Sequence, residues 1–258
     1  MSYAVSRRSF ATVALAGLFA PTLAAAHSRL LPATVLVVAS LPAGPAADPN
    51  YTDEDLSKII SHFKPDWVGL EIRPEDMTAD AAYLQAWYPQ DMLTLKAQYG
   101  DKAFGFDWIG DDLNGQPIPA DWGTTSSIKT LEAQLDAAPE LQASDKLALS
   151  QQLDTIRAQQ DALLAKTNPR GLNDGRYDAL CVKYYDTLKQ LYAGTRFADL
   201  STFYTARDAH IAANIAAFIK AHPGERIAIV TGADHHGAVT RYILETMHDV
   251  KLRHVTQT

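Results

Sequence analysis

The chain has 258 residues, of which 47% are hydrophobic and 21% are charged, and its formal net charge is −7. This length is enough for one large domain or for a domain with an insertion. The excess of acidic residues argues against a phosphate-rich partner, so we expect no nucleic-acid binding. Cys181 is the single cysteine, which excludes an internal disulfide, and the fold must therefore be held by a packed core.

The first 26 residues have the pattern of an export signal that is cleaved from the mature chain. Arg7 and Arg8 precede an uncharged apolar run at 11–20, and alanines at 24–26 offer a small-residue cleavage site. The paired arginines favour the twin-arginine route and hence a periplasmic or secreted protein. A membrane anchor is the alternative, but the run is short against the roughly 20 apolar residues that a spanning helix needs. For the mature chain, 27–258, we expect no stable membrane insertion.

Segments with strand and helix patterns alternate along the mature chain. Continuous apolar runs predict buried strands, and apolar residues at helical spacing predict helices. In chain order we predict strand 34–40, helix 53–63, strand 67–72, helix 79–99, strand 103–108, two helices within 126–167, helices 174–193 and 205–221, strand 226–231, helix 238–248 and strand 251–255. This order predicts an α/β fold in which helices flank a mainly parallel central sheet. Residues 111–173 are interpreted as a loop and helical insertion, or cap, within a single domain, 27–258.

The strongest site candidate follows the strand 226–231. Ligands of an open parallel sheet bind beyond the carboxyl ends of its strands, so polar residues just after an apolar run deserve first consideration. Here a helix is preceded by Gly232, Asp234, His235 and His236. Glycine permits a tight turn with outward N–H groups, and a helix N-terminus favours the neutral, metal-binding imidazole. The alternative is that Asp234 caps the helix while both histidines are solvated.

Two further acids follow apolar strands. Glu71 ends the run WVGLE, and a carboxylate there is expensive to bury unless it is paired or bound to a metal. Arg73 lies two residues on, so a structural ion pair is the alternative. Asp107 ends the next predicted strand in the same way, with a loop-capping aspartate as its alternative.

One face of the predicted helix 205–221 combines polar and apolar residues. Arg207 and Asn214 share this face with Ile211 and Phe218. An arginine and an asparagine within an apolar stripe need partners, which an anionic or oxygen-rich site would supply.

The order of these motifs resembles the superfamily that joins Tiki metalloproteases, TraB/GumN-like proteins, erythromycin esterases and haem-uptake lipoproteins of the ChaN type. The resemblance is carried by PDWVGLE at 65–71, by Arg-Asp-x-His-Ile-Ala-x-Asn-Ile at 207–215 and by Gly-x-x-His at 232–235. It implies an α/β core with a glutamate and two Gly-x-x-His motifs around one pocket. The first of these motifs is missing, because Ala39 and Pro42 stand where its glycine and histidine are expected.

The resemblance implies Glu71, Arg207, Asn214, Gly232 and His235 as site residues, whereas Asp107, Asp234 and His236 are added by their positions after predicted strands. The expected catalytic residues are Glu71, His235, Arg207 and Asn214. The expected cofactor-binding residues are Gly232 and Asp234, and the expected ligands of a divalent metal ion are Glu71, His235, His236 and Asp107.

Two functions follow from the resemblance. The first is an exported, metal-dependent hydrolase of a peptide or ester bond in a small molecule or peptide substrate, with Arg207 steadying the oxyanion. The second is a non-catalytic protein that binds a metal, haem or a small molecule, and the missing histidine at position 42 favours it. Tyr177, Tyr184, Tyr185 and Tyr192 are candidate ligand-facing groups, with core packing as their alternative. A degenerate family member with a structural role is a third possibility.

Overall fold

The computed structural model describes residues 31–41 and 50–255. The predicted export signal, residues 1–26, and Pro42 of the missing motif lie outside the described residues. Within the described part of the chain, no helix is both long enough and apolar enough to cross a membrane.

Five parallel strands form one sheet in the order β3-β2-β4-β1-β5. The strands are β1 Thr34–Ser40, β2 Trp67–Leu70, β3 Ala103–Gly105, β4 Arg226–Gly232 and β5 Lys251–Arg253. Helices flank the sheet, which confirms the predicted α/β fold with its parallel sheet. Because the strands are parallel, all their carboxyl ends meet at the same edge.

Most of the remaining described chain is helical. The α-helices are α1 Asp53–Phe63, α2 Ala81–Trp87, α3 Gln90–Tyr99, α4 Trp122–Thr125, α5 Ser127–Glu132, α6 Leu147–Leu164, α7 Pro169–Leu172, α8 Arg176–Tyr192, α9 Ala198–Ala221 and α10 Ala233–Thr246. Short 3-10 helices occupy Pro74–Thr78, Gly100–Lys102, Asp111–Leu113 and Pro139–Leu141.

The sheet separates two hydrophobic clusters, because successive residues of a strand point to opposite faces. Leu36 and Val38 of β1 face a cluster that includes residues of α1 and α3. Val35 and Val37 face the other cluster, to which α9 and α10 contribute. The sheet is thus covered on both sides, which explains why its strands are continuously apolar.

Most of the helices of residues 111–173 build a third cluster away from the sheet. Leu141 and Leu153 pack there with Leu188 and Leu191 of α8 and with Leu200 of α9. The end of the segment returns to the sheet, because Leu172 packs in the cluster of Leu36 and Val38 and Asn173 Oδ1 accepts a hydrogen bond from the Ala39 N–H at 2.8 Å.

Several element boundaries differ from the prediction. The helix α9 begins at Ala198 rather than at 205, and the strands β3 and β5 end at Gly105 and Arg253 rather than at 108 and 255. The predicted helix 79–99 is two helices, because Tyr88 is extended before Pro89, which caps α3. The strand β2 ends at Leu70, so Glu71 follows the strand directly. The helix α10 begins at Ala233 rather than at 238, with Gly232 as its N-cap, so the two histidines lie within its first turns.

Candidate active site

The carboxyl edge of the sheet brings four ionisable side chains together. Glu71 follows β2, Asp107 lies just beyond β3, His235 lies in α10 directly after β4, and Arg207 comes from α9. These four residues, which we call the charged floor, line a cavity of about 440 Å³. Its other lining residues are mostly apolar and include Trp87, Met92, Ile118 and Trp122.

Both carboxylate oxygens of Glu71 have partners. Oε2 accepts hydrogen bonds from the Thr231 hydroxyl at 2.8 Å and from the Gly232 N–H at 2.7 Å. Oε1 accepts one from Arg207 Nη2 at 3.0 Å and lies 3.5 Å from His235 Nε2. Burial opposes the charge on Glu71, but His235, Arg207 and the two hydrogen bonds outweigh burial and lower the pKa of this carboxyl. Glu71 is therefore ionised in neutral solution.

Arg207 bridges the two acids of the charged floor. Its Nε and Nη2 donate to Asp107 Oδ1 and Oδ2 at 3.0 and 3.1 Å, in a fork-like arrangement. Burial raises the pKa of Asp107, and the opposing effect of Arg207 does not fully offset it. Within the described residues, the third guanidinium nitrogen, Nη1, has no protein acceptor. Arg207 lines the cavity, and Nη1 is its one guanidinium nitrogen that does not donate to Glu71 or Asp107.

His235 lies between two carboxylates. Its Nδ1 is 2.6 Å from Asp208 Oδ1, and its Nε2 is on the side of Glu71. Burial disfavours the imidazolium, but Glu71 and the hydrogen bond with Asp208 outweigh burial and raise the pKa of His235 above its ordinary value. The helix N-terminus alone favours the neutral ring, whereas these two acids favour the charged ring.

Asp208 is the site residue that the sequence reasoning missed. It neighbours Arg207 on α9, and the helix carries it to the other side of His235. An aspartate at this position within the motif Arg-Asp-x-His was visible in the sequence, but its partner was not, because α9 and α10 meet only in the folded chain.

The structure does not bring His236 to the charged floor. Its Nδ1 lies 3.0 Å from Asp178 Oδ1 on α8, and the ring is buried. One step along a helix turns a side chain by about 100°, so consecutive histidines face different neighbours. The expectation that His236 joins Glu71, His235 and Asp107 as a metal ligand is corrected on this ground.

Asn214 also has a different partner from the one expected. Its Nδ2 donates to the carbonyl of Phe106 at 3.0 Å, and it borders a separate cavity with Phe104 and Phe218. Asn214 therefore ties α9 to the chain just after β3 and does not contact the charged floor.

Asp234 lines the main cavity but is turned partly towards α8. It accepts a hydrogen bond from the Tyr177 hydroxyl at 2.8 Å and lies 3.6 Å from Cys181 Sγ. Burial raises the pKa of the Cys181 thiol, as expected for an inert cysteine. The Tyr184 hydroxyl accepts a hydrogen bond from Arg157 Nη2 at 3.0 Å. None of the four candidate tyrosines lines the main cavity, and Tyr185 lines a separate cavity with Asp178 and Asp208.

The donor set of the charged floor does not fit a divalent ion as it stands. Both oxygens of Asp107 accept from Arg207, and both oxygens of Glu71 have protein partners. The guanidinium thus occupies the place between the acids that a cation needs. Among the described residues, no group of three or more His, Cys, Asp or Glu side chains is arranged to hold a metal.

No family model, no curated protein and no solved structure matches the chain. The resemblance to the superfamily of Tiki proteases and erythromycin esterases therefore stays a prediction that rests on short motifs.

Proposed function

We propose that the protein is a hydrolase of ester or peptide bonds in which His235 is the general base. The observation that carries the proposal is the position of its ring, with Nδ1 held by Asp208 at 2.6 Å and Nε2 on the cavity side beside Glu71. A carboxylate on Nδ1 fixes the tautomer whose Nε2 lone pair can accept a proton. It also stabilises the imidazolium that forms when the proton arrives.

The reaction would begin with a water molecule between His235 and the carbonyl carbon of the substrate. Nε2 takes a proton from the water, and the water oxygen bonds to that carbon. When the tetrahedral intermediate breaks down, the imidazolium returns the proton to the leaving alcohol or amine. The base must be neutral at the start, so the raised pKa of His235 predicts greater activity on the alkaline side of neutrality.

Arg207 would stabilise the negative oxygen of the intermediate. Its Nη1 is the one guanidinium nitrogen without an acceptor in the described part of the chain. Asp107 and Glu71 fix the orientation of the guanidinium before the substrate arrives, and such preorganised donors contribute most to stabilising developing charge. The metal-dependent form of the hydrolase is less well supported, because an ion would have to displace Arg207.

A second candidate is a non-catalytic binding protein. The described residues at the missing motif, Ala39 to Leu41, contain no histidine. In addition, Glu71 and Asp107 are already paired with Arg207. A small neutral or weakly anionic molecule could occupy the cavity without any reaction. A titration with haem tests one form of this candidate. A new absorbance band in the Soret region would support haem binding, and unchanged absorbance would exclude haem as the ligand.

The experiment that tests the hydrolase is turnover of chromogenic esters and short peptides by wild type and His235→Ala. We expect kcat to fall by about 100-fold or more, as for loss of a general base. His62→Ala is the matched control, because His62 is exposed on α1 away from the cavity. Equal kcat in wild type and His235→Ala would show that His235 is not the general base. Loss of wild-type activity on chelation would revive the metal-dependent form.

A further inference from the structure

We infer that the substrate carries a straight apolar acyl chain next to the scissile carbonyl and that Trp122 limits the length of this chain. The inference rests on the proposed hydrolase for its reaction and on the cavity alone for its length limit. Away from the charged floor, the cavity is lined mainly by apolar and aromatic side chains. They include Trp87, Pro89, Met92, Ile109, Ile118 and Trp122.

Each polar side chain in these walls already has a partner in the protein. Ser40 is hydrogen-bonded to Asp91, and Asp234 Oδ1 accepts from the Tyr177 hydroxyl. The Lys129 ammonium is 2.8 Å from Glu132 Oε2 and stands 5.4 Å from the centre of the Trp122 ring. The Tyr88 hydroxyl donates to Asp76. A sugar or a strongly polar side chain would therefore leave its own hydrogen-bonding groups unpaired against these walls, whereas a hydrocarbon chain would not.

A second cavity of about 270 Å³ adjoins the first. Ile109 and Trp122 line both cavities, so these two side chains form the partition between them. Beyond the partition the second cavity has an apolar side, formed by Leu113, Ile128 and Phe203, and a polar side, formed by Asp112, Thr125, Ser126 and Ser127. A hydrocarbon chain that passes the partition would lie against the apolar side.

Trp122 is the larger part of the partition and is held in position. Its ring meets that of Trp87 edge-on, with centroids 6.2 Å apart, and Lys129 lies over it. A chain that fills the first cavity would end against this ring. Replacing Trp122 with a small residue would join the two cavities and admit a longer chain.

The length limit has a measurable form. Each buried methylene strengthens binding by about fourfold, so kcat/KM should rise with acyl length until the chain reaches Trp122 and then fall. In Trp122→Ala the optimum should move to longer chains, by about fourfold in kcat/KM for each methylene that enters the second cavity. Trp122→Phe keeps an aromatic ring in the partition and should keep the wild-type optimum.

The experiment measures kcat/KM for p-nitrophenyl esters from acetate to dodecanoate with wild type, Trp122→Ala and Trp122→Phe. Calorimetric binding of 2-alkanones of the same lengths, which are neutral and cannot be hydrolysed, is measured in parallel. Ile109→Ala opens the partition from its other side, so it replaces Trp122→Ala if thermal melting shows that variant to be unfolded.

The outcomes separate the two proposals. Hydrolysis that does not depend on chain length, or an optimum that neither alanine variant moves, overturns the length limit and leaves the hydrolase standing. Absence of hydrolysis, with 2-alkanone affinity that rises with length and extends in the alanine variants, supports the length limit and overturns the hydrolase. Absence of both hydrolysis and binding overturns both.

Discussion

Two arginines lie near the carboxyl edge of the sheet, one buried and one partly exposed, and they differ in what their nitrogens contact. Arg73 is 1% exposed, and all three of its guanidinium nitrogens donate to protein acceptors, namely Asp76 and the carbonyls of Leu113 and Gln116. Arg207 keeps one nitrogen without a protein acceptor in the described chain, and its side chain is 25% exposed. A fully bonded arginine has nothing left for a ligand, whereas a partly bonded one does.

The cluster around Arg73 is structural by this criterion. Asp76 also accepts from the hydroxyls of Tyr83 and Tyr88. Burial disfavours its charged form, but hydrogen bonds from Arg73 and Tyr88 outweigh burial and lower the pKa of Asp76. Through the carbonyls of Leu113 and Gln116, Arg73 anchors the segment that precedes Ile118 of the cavity wall. The pairing of Arg73 with Glu71, which was an alternative from the sequence, does not occur.

The largest effect that would separate the two arginines is expected for Arg207→Lys. Lysine keeps the charge but cannot hold Asp107 and Glu71 and also present a third donor to the substrate. We expect kcat towards the best ester substrate to fall by about 100-fold, as for loss of one oxyanion donor. Steady-state kinetics measure this loss. A kcat within about threefold of wild type would show that the reaction does not use Nη1.

The reverse pattern is expected for Arg73→Lys. The variant loses several buried, charge-assisted hydrogen bonds, so the free energy of unfolding should fall by about 3 kcal/mol. Urea unfolding measures this change, and kcat of the folded protein well below its melting temperature should stay within about twofold of wild type. A large loss of kcat without loss of stability would show that the Arg73 cluster takes part in the reaction, and the two arginines would then not differ in role.

A smaller effect is expected on the pH dependence of kcat/KM, and only substitutions at or next to the charged floor should change it. Activity needs the neutral imidazole, so kcat/KM should rise with pH to a plateau, with its midpoint above the ordinary histidine pKa of 6.5. Asp208 helps to raise this pKa, and Asp208→Asn should therefore move the midpoint to lower pH. Arg73→Lys should keep the wild-type midpoint, because the lowered pKa of Asp76 leaves it ionised throughout this range.

The pH profiles of the three proteins check this prediction, and equal midpoints in wild type and Asp208→Asn would contradict it. Stability should respond with the opposite sign. The pKa of His235 is raised in the folded state, so its ion pairs stabilise the fold fully below about pH 6.5. That stabilisation is lost as the pH rises through the folded-state pKa.

Local patterns predicted the elements whose determinants lie within the segment. The strand β1 and the helix α1 have the predicted bounds. A continuous apolar run defines the first, while Thr52 and Asp55 form a capping box at the start of the second. The start of α10 was missed because Gly232 and the polar residues after it have the composition of a loop, although they continue directly from a strand into a helix.

The rule that ligand sites lie at strand ends found Glu71, Asp107 and His235, and helical spacing found Arg207. What the sequence could not supply was the pairing between elements. Whether Arg73 or Arg207 reaches Glu71 depends on the direction in which the chain turns after β2. The hydrophobic periodicity of the sequence does not predict that direction. The difference between His235 and His236 likewise depends on the rotation of α10 against its neighbours.

The hydrogen bonds of Glu71 have a consequence for folding. Its partners Arg207 and Gly232 lie 136 and 161 residues further along the chain. Contacts of such separation require closure of long loops, which makes them slow to form. A growing chain that ends before residue 207 carries Glu71 and Asp107 without the guanidinium that joins them. Assembly of the four side chains of the charged floor therefore waits until His235 has been synthesised, which is nearly the whole polypeptide.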